Sequence, residues 1–92
     1  ILVATEFGRT VHVNGTRGTD HGTASAAMLF GGGLANGGNI VADWPGVAPS
    51  QLYEGRDLKP TMRFESMVIS TLSAHYAIDS DKLKRTVFPD FV

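Results

Sequence analysis

Cysteine is missing altogether from the 92 residues, which removes disulfides, thiolate metal sites and cysteine nucleophiles together and leaves the redox compartment open. A dominant charge is missing too: eight Lys plus Arg stand against nine Asp plus Glu, a formal net charge of −1, and no basic run occurs. Nonspecific affinity for nucleic acid or anionic lipid comes largely from neutralising phosphates, so no nucleic-acid partner is expected. No apolar stretch approaches the roughly 20 residues that cross a bilayer, and the opening residues form neither a signal nor a transit peptide. No membrane span is expected. Any metal must be held by Asp, Glu, His or backbone oxygen.

What is present begins with an apolar run, Ile1, Leu2, Val3 and Ala4. A strand apolar on both faces predicts a central, parallel position covered on each side. Such a strand needs neighbours, and the rest of the chain offers only two or three more strand candidates. With 42% hydrophobic residues, the length fits one small domain that buries only about 60–65% of its unfolded surface. Residues 1–92 therefore read as a single piece of a larger α/β domain.

The chain changes character near Arg56. All 11 glycines lie between Gly8 and Gly55, so loops and short strands are expected before that point and helices after it. A strand over Ile1–Thr5 leads into a long polar loop from Glu6 to Gly22, and a second strand is predicted over Ala26–Phe30, ended by Gly31, Gly32 and Gly33. Asn36, Gly37 and Gly38 have turn chemistry, because Asn and Gly tolerate positive φ, which predicts a hairpin returning through Asn39–Ala42. Pro45, Pro49 and Pro60 argue against regular structure between Asp43 and Pro60, with Trp44 and Tyr53 expected to pin that segment to the body. Phe64, Met67, Val68, Leu72 and Tyr76 then follow a helical period with Thr61 as the N-cap, giving one main helix. Asp79 or Ser80 is placed to cap a shorter one over Asp81–Thr86. Phe88 to Phe91 should end the chain by packing.

Polar residues concentrate after the first strand: Glu6, Arg9, Thr10, His12, Asn14, Arg17, Thr19, Asp20 and His21. In open α/β sheets ligands collect where strands end, so position and composition agree. Asp20 and His21 are the sharpest pair. A carboxylate beside an imidazole can offer a hard oxygen and a borderline nitrogen to one divalent cation, zinc or manganese, while Gly22 lets backbone pass close by. The same pair also reads as two groups hydrogen-bonded for structural reasons. His12 reads as a third ligand or as an exposed loop histidine, the commoner case, and His75 as a packed or surface residue of the helix rather than a ligand.

Several strings taken together carry a resemblance. They are Thr5-Glu6-Phe7-Gly8-Arg9-Thr10, then Asn14-Gly15, Gly18-Thr19-Asp20-His21-Gly22 and Leu29-Phe30-Gly31-Gly32-Gly33, followed by Asp43-Trp44-Pro45-Gly46 and Leu52-Tyr53-Glu54-Gly55-Arg56-Asp57-Leu58. This combination resembles the C-terminal part of DUF1501 proteins, which are similar in turn to the alkaline phosphatase and sulfatase superfamily. The resemblance implies a C-terminal fragment of an alkaline-phosphatase-like α/β sandwich, with short strands, a hairpin and one main helix. It also implies that Asp20 and His21 match the superfamily's metal-binding Asp-His pair, and it suggests a periplasmic or exported location. Arg9 lies in the Glu-Phe-Gly-Arg-Thr motif, where its guanidinium fork suits a phosphate or sulfate oxygen. A Glu6–Arg9 ion pair bracing the loop is the alternative.

Other templates fail. No Gly-Lys-Ser/Thr follows Gly31–Gly38, and the Gly-x-Gly-x-x-Gly spacing breaks at Asn36. No Gly-x-Ser-x-Gly elbow surrounds Ser25, Ser66, Ser70 or Ser73. Asn14-Gly15-Thr16 fits a glycosylation sequon and, more simply, a tight turn. No nucleophile is identified, and Asp20 with His21 leaves a metal short of the three protein ligands usual for catalytic zinc.

Two functions remain. One is a portion of a sulfatase- or phosphatase-like metal-dependent hydrolase, catalytically silent in isolation and completed by the remainder of its own polypeptide. The other is a noncatalytic scaffold in which Asp20–His21 and Glu6–Arg9 contacts hold the loop and an exposed sheet edge recruits a partner strand or a second copy.

Overall fold

A computed structural model describes residues 1–34 and 37–91. The chain is a mixed α/β structure in which two short antiparallel ladders precede two helices. It divides into two compact units, Ile1–Thr61 and Met62–Val92.

In the first unit, β1 (Leu2–Val3) pairs with β4 (Met28–Leu29), Leu2 opposite Leu29 and Val3 opposite Met28. The apolar opening does form a strand, but it is antiparallel and its residues are exposed, contrary to the central parallel position expected. Its partner is the segment around Met28, which supplies the ladder without the crossover that parallel pairing needs. The expected polar loop contains a second ladder: β2 (Gly8–Arg9) pairs with β3 (His21–Gly22), Gly8 opposite Gly22 and Arg9 opposite His21.

Close approach explains both glycines of that ladder. A Cβ on Gly8 would run into the Ala24 carbonyl, and one on Gly22 would lie 2.8 Å from the Arg9 carbonyl carbon. Backbone from Ala24 thus crosses where only glycine leaves room.

No strand forms over residues 39–42, where Ile40 is 92% exposed and Val41 81%. The hairpin expected there therefore lacks its returning strand, and β4 pairs with β1 instead; Asn36, assigned to its turn, lies outside the described residues. Between Asp43 and Pro60 the backbone is irregular apart from a 3₁₀ turn over Pro49–Gln51. Trp44, expected to pin this segment, is 67% exposed, and the buried apolar anchor is Leu52.

Tyr53, also expected to pin the segment, is exposed, and its N–H donates to the Asp57 carbonyl at 2.8 Å within the segment itself, so the tie to the body comes through Asp57. Asp57 in turn forms a bridge to Thr10 and is 2% exposed. Its Oδ2 accepts the Thr23 N–H at 2.6 Å. One acid thereby ties the Tyr53 turn to the ends of β2 and β3.

In the second unit, α1 (Phe64–Tyr76) spans the expected helix. Arg63 rather than Thr61 occupies its N-cap, with no side-chain cap bond. The buried residue is Ile69, while Phe64 and Tyr76 are exposed, so the inward stripe is shifted from the predicted one. Helix α2 (Ser80–Val87) begins at the predicted cap, where Asp79 Oδ1 accepts the Lys82 N–H at 2.9 Å. Leu83 is its buried residue. The chain end packs as expected, with the Arg63 guanidinium 4.4 Å from the Phe91 ring centroid.

Candidate functional site

The loop between β2 and β3 is organised by Asn14. Its Oδ1 accepts the Thr16 N–H at 3.0 Å, the Thr16 hydroxyl at 2.8 Å and the Gly18 N–H at 3.0 Å. A carbonyl side chain taking bonds from the following backbone is the local mechanism by which Asn favours turns. Arg17 completes the turn in the left-handed region at φ 66°. Asn14 Nδ2 donates to Asp20 Oδ1 at 3.0 Å, so the residue that shapes the loop also orients the acid. Thr10 closes the base: its N–H donates to the Asp20 carbonyl and its Oγ1 accepts the Asp20 N–H, both at 3.0 Å.

Arg9 and His21 are direct cross-strand partners, so their side chains leave the ribbon on the same face. Arg9 Nη1 donates to the Thr19 carbonyl at 2.8 Å. The His21 ring stacks on Phe7 with centroids 4.3 Å apart and planes 8° from parallel. Arg9, Thr19, Asp20, His21 and Arg56 line one open depression of about 450 Å³.

The three residues singled out by sequence, Arg9, Asp20 and His21, are therefore together. His12 is exposed and its carbonyl accepts the Thr10 hydroxyl at 3.3 Å; it does not line the depression. His75 is exposed on α1 and meets Tyr76 edge to face. Among the described residues no hydrogen bond joins Asp20 to His21 and no ion pair joins Glu6 to Arg9. The loop is braced by Asn14 and Thr10 instead. Arg56 is the residue that sequence reasoning passed over, since it lies far along the chain in a motif read only as part of a resemblance.

Two guanidinium groups, one carboxylate and one imidazole on an open surface can bind an anion and contribute donors to a cation. The cation test is only partly met. Asp20 and His21 supply two donors, and the described residues include no group of three His, Cys, Asp or Glu able to hold a metal ion. No helix among them is long and apolar enough to cross a membrane.

A family model described as "Protein of unknown function (DUF1501)" matches residues 1–87. No curated protein and no solved structure matches the chain.

Proposed function

The chain belongs to the DUF1501 family, and from that premise we propose that it is the C-terminal portion of a sulfatase- or phosphatase-like metal-dependent hydrolase with an alkaline-phosphatase-like sandwich. Asp20 and His21 are its metal ligands, for zinc or manganese, and Arg9 takes an oxygen of the phosphoryl or sulfuryl group. The observation that carries this reading is the convergence of Arg9, Asp20 and His21 on one open depression.

Each residue's surroundings suit its assigned part. Asn14 holds Asp20 by one oxygen and leaves Oδ2 for another partner, an arrangement typical of metal-ligating carboxylates, which are themselves hydrogen-bonded. Phe7 fixes the plane of the His21 ring. Arg9 is steadied through Nη1, and its remaining N–H groups can meet an oxyanion. A divalent metal, when bound, would polarise the ester oxygen and help to activate a nucleophile or water.

Two donors do not complete a coordination sphere. The reading therefore requires further ligands and a nucleophile from polypeptide outside residues 1–92, and residues 1–92 alone should be catalytically silent. In the full-length protein, His21→Ala is expected to abolish bound zinc or manganese measured by inductively coupled plasma mass spectrometry. Unchanged metal stoichiometry would remove His21 from the ligand set.

A second reading, the noncatalytic scaffold, is favoured by one observation: Ile1, Leu2, Val3, Met28 and Phe30 on the β1–β4 ladder are all exposed. Such an edge can accept a strand from the rest of the polypeptide or from a second copy. Gel filtration tests it, because self-association supports edge pairing between copies and a monomer at high concentration rules that pairing out.

A further inference from the structure

We propose that Arg56 is the second arm of a clamp, with Arg9, that selects a tetrahedral oxyanion carrying two negative charges over one carrying a single charge. The inference rests on the oxyanion-binding part of the preceding reading and adds to it both a residue and a charge requirement.

Three observations carry it. First, Arg56 and Arg9 line the same depression although they come from distant parts of the chain. Second, neither guanidinium is neutralised by an acid: among the described residues the ion pairs are Arg63–Glu65 and Lys84–Asp81. The single carboxylate lining the depression, Asp20, is engaged through Oδ1 by Asn14. Two positive charges against one negative charge leave a surplus that an anion can satisfy.

Third, Arg56 is held in place by its backbone on every side. Its N–H donates to the Tyr53 carbonyl at 3.0 Å, and its own carbonyl accepts the Val11 N–H at 3.0 Å. The next residue, Asp57, is buried and anchored to Thr23. Glu54 and Gly55 make the turn with φ of 52° and 69°, a reversal that brings Arg56 back toward β2. Because the turn is already pinned, binding an anion at Arg56 has only the side chain left to order, not the backbone as on a mobile loop.

Ligand charge decides the recognition because both arms offer planar donor forks that match tetrahedral oxyanions. A dianion has charge and lone pairs for both. A monoanion with one oxygen esterified still has three terminal oxygens, but they share a single charge, so each arm meets a weaker acceptor than in the dianion.

Inorganic sulfate and methyl sulfate test this directly, since they share tetrahedral geometry and differ in charge without titrating near neutral pH. Binding of each to the full chain is measured by isothermal titration calorimetry at low ionic strength. The wild-type chain is expected to prefer sulfate by roughly tenfold, the scale of one charge-assisted contact. Arg56→Gln should lower that preference to about twofold or less, and Arg56→Lys should retain part of it because the charge remains. Thermal melts of both variants check folding; Arg56 is exposed, and melts within a few degrees of wild type are expected.

A wild-type chain that binds the two anions equally, or an Arg56→Gln variant that melts like wild type and keeps the full preference, overturns the clamp. Metal content separates this outcome from the fate of the hydrolase reading. Loss of the sulfate preference on Arg56→Gln alongside His21-independent metal binding supports the clamp and defeats the metal assignment; an unchanged preference alongside His21-dependent metal does the reverse.

Discussion

Replacing Asp57 by alanine probes the joint on which the depression depends. Asp57 is 2% exposed; Oδ2 accepts the Thr23 N–H at 2.6 Å, while Oδ1 is buried with no hydrogen-bond partner. The two oxygens pull in opposite directions. A hydrogen bond to an ionised group contributes about 1.5–3 kcal/mol, and its loss also strands the Thr23 N–H. Removing a buried, unpartnered oxygen returns part of that, on the order of 1 kcal/mol. The bond prevails, because its loss leaves a new orphan donor while the deletion cures only one old orphan acceptor. Asp57→Ala should therefore cost about 1–2 kcal/mol, or roughly 5–15 °C in melting temperature for a domain of this size. Asp57→Asn keeps an acceptor for Thr23 but makes the bond neutral and puts an amide donor where Oδ1 found nothing, so it should fall between wild type and alanine. Circular dichroism melts of the three proteins give the order. If the alanine variant melts at or above the wild-type temperature, Asp57 does not bind the Tyr53 turn to β2 and β3, and the stated cause of Arg56's placement fails.

Gly8→Ala should cost about 1–3 kcal/mol, because the new Cβ meets the Ala24 carbonyl and backbone must shift; a chemical denaturation curve matching wild type would contradict the crossing at Gly8. Ala77 closes α1 at φ 53°, where a Cβ is strained, so Ala77→Gly should gain roughly 0.5–1 kcal/mol. The same change at Ala74, inside α1, should lose about 1 kcal/mol, and equal signs at the two positions would rule out the left-handed cap. Phe7→Ala removes the ring stacked on His21. The His21 ring-proton resonances should then move downfield as the neighbouring ring current disappears, and unmoved resonances would show that the two rings do not stack.

Much of the fold was legible where local chemistry suffices. The helical period from Phe64 gave α1, and the acid at Asp79 gave the start of α2, because capping and periodicity act within a few residues. Partner choice was not legible. Residues Ile1 to Ala4 read as a buried parallel strand on the strength of their side chains, yet β1 pairs antiparallel with β4 and stays exposed. Apolar pattern reports how much burial a strand would favour, not which strand covers it. The missing return strand has the same origin: the glycines after Phe30 permit a reversal, but turn chemistry does not name the strand that β4 pairs with, which is β1.

The site divides along the same line. Arg9, Asp20 and His21 were found because they cluster in sequence, and the β2–β3 register then sets Arg9 and His21 side by side. Arg56 gave no such signal, since an arginine in a Gly-containing turn is unremarkable until its neighbour is seen to be buried. The residue that draws it in is Asp57, whose charge in sequence reads as surface. Burial of that acid is costly unless its oxygens are hydrogen-bonded, and the bond that Oδ2 takes from Thr23, with the backbone bridge to Thr10, closes one turn against the ends of two strands. Asp57→Ala should therefore weaken sulfate binding as well as lower the melting temperature, whereas Arg56→Gln should weaken binding alone. A variant pair behaving alike in both assays would mean that Arg56 itself contributes to the fold, and that the depression is shaped by its guanidinium rather than presented with it.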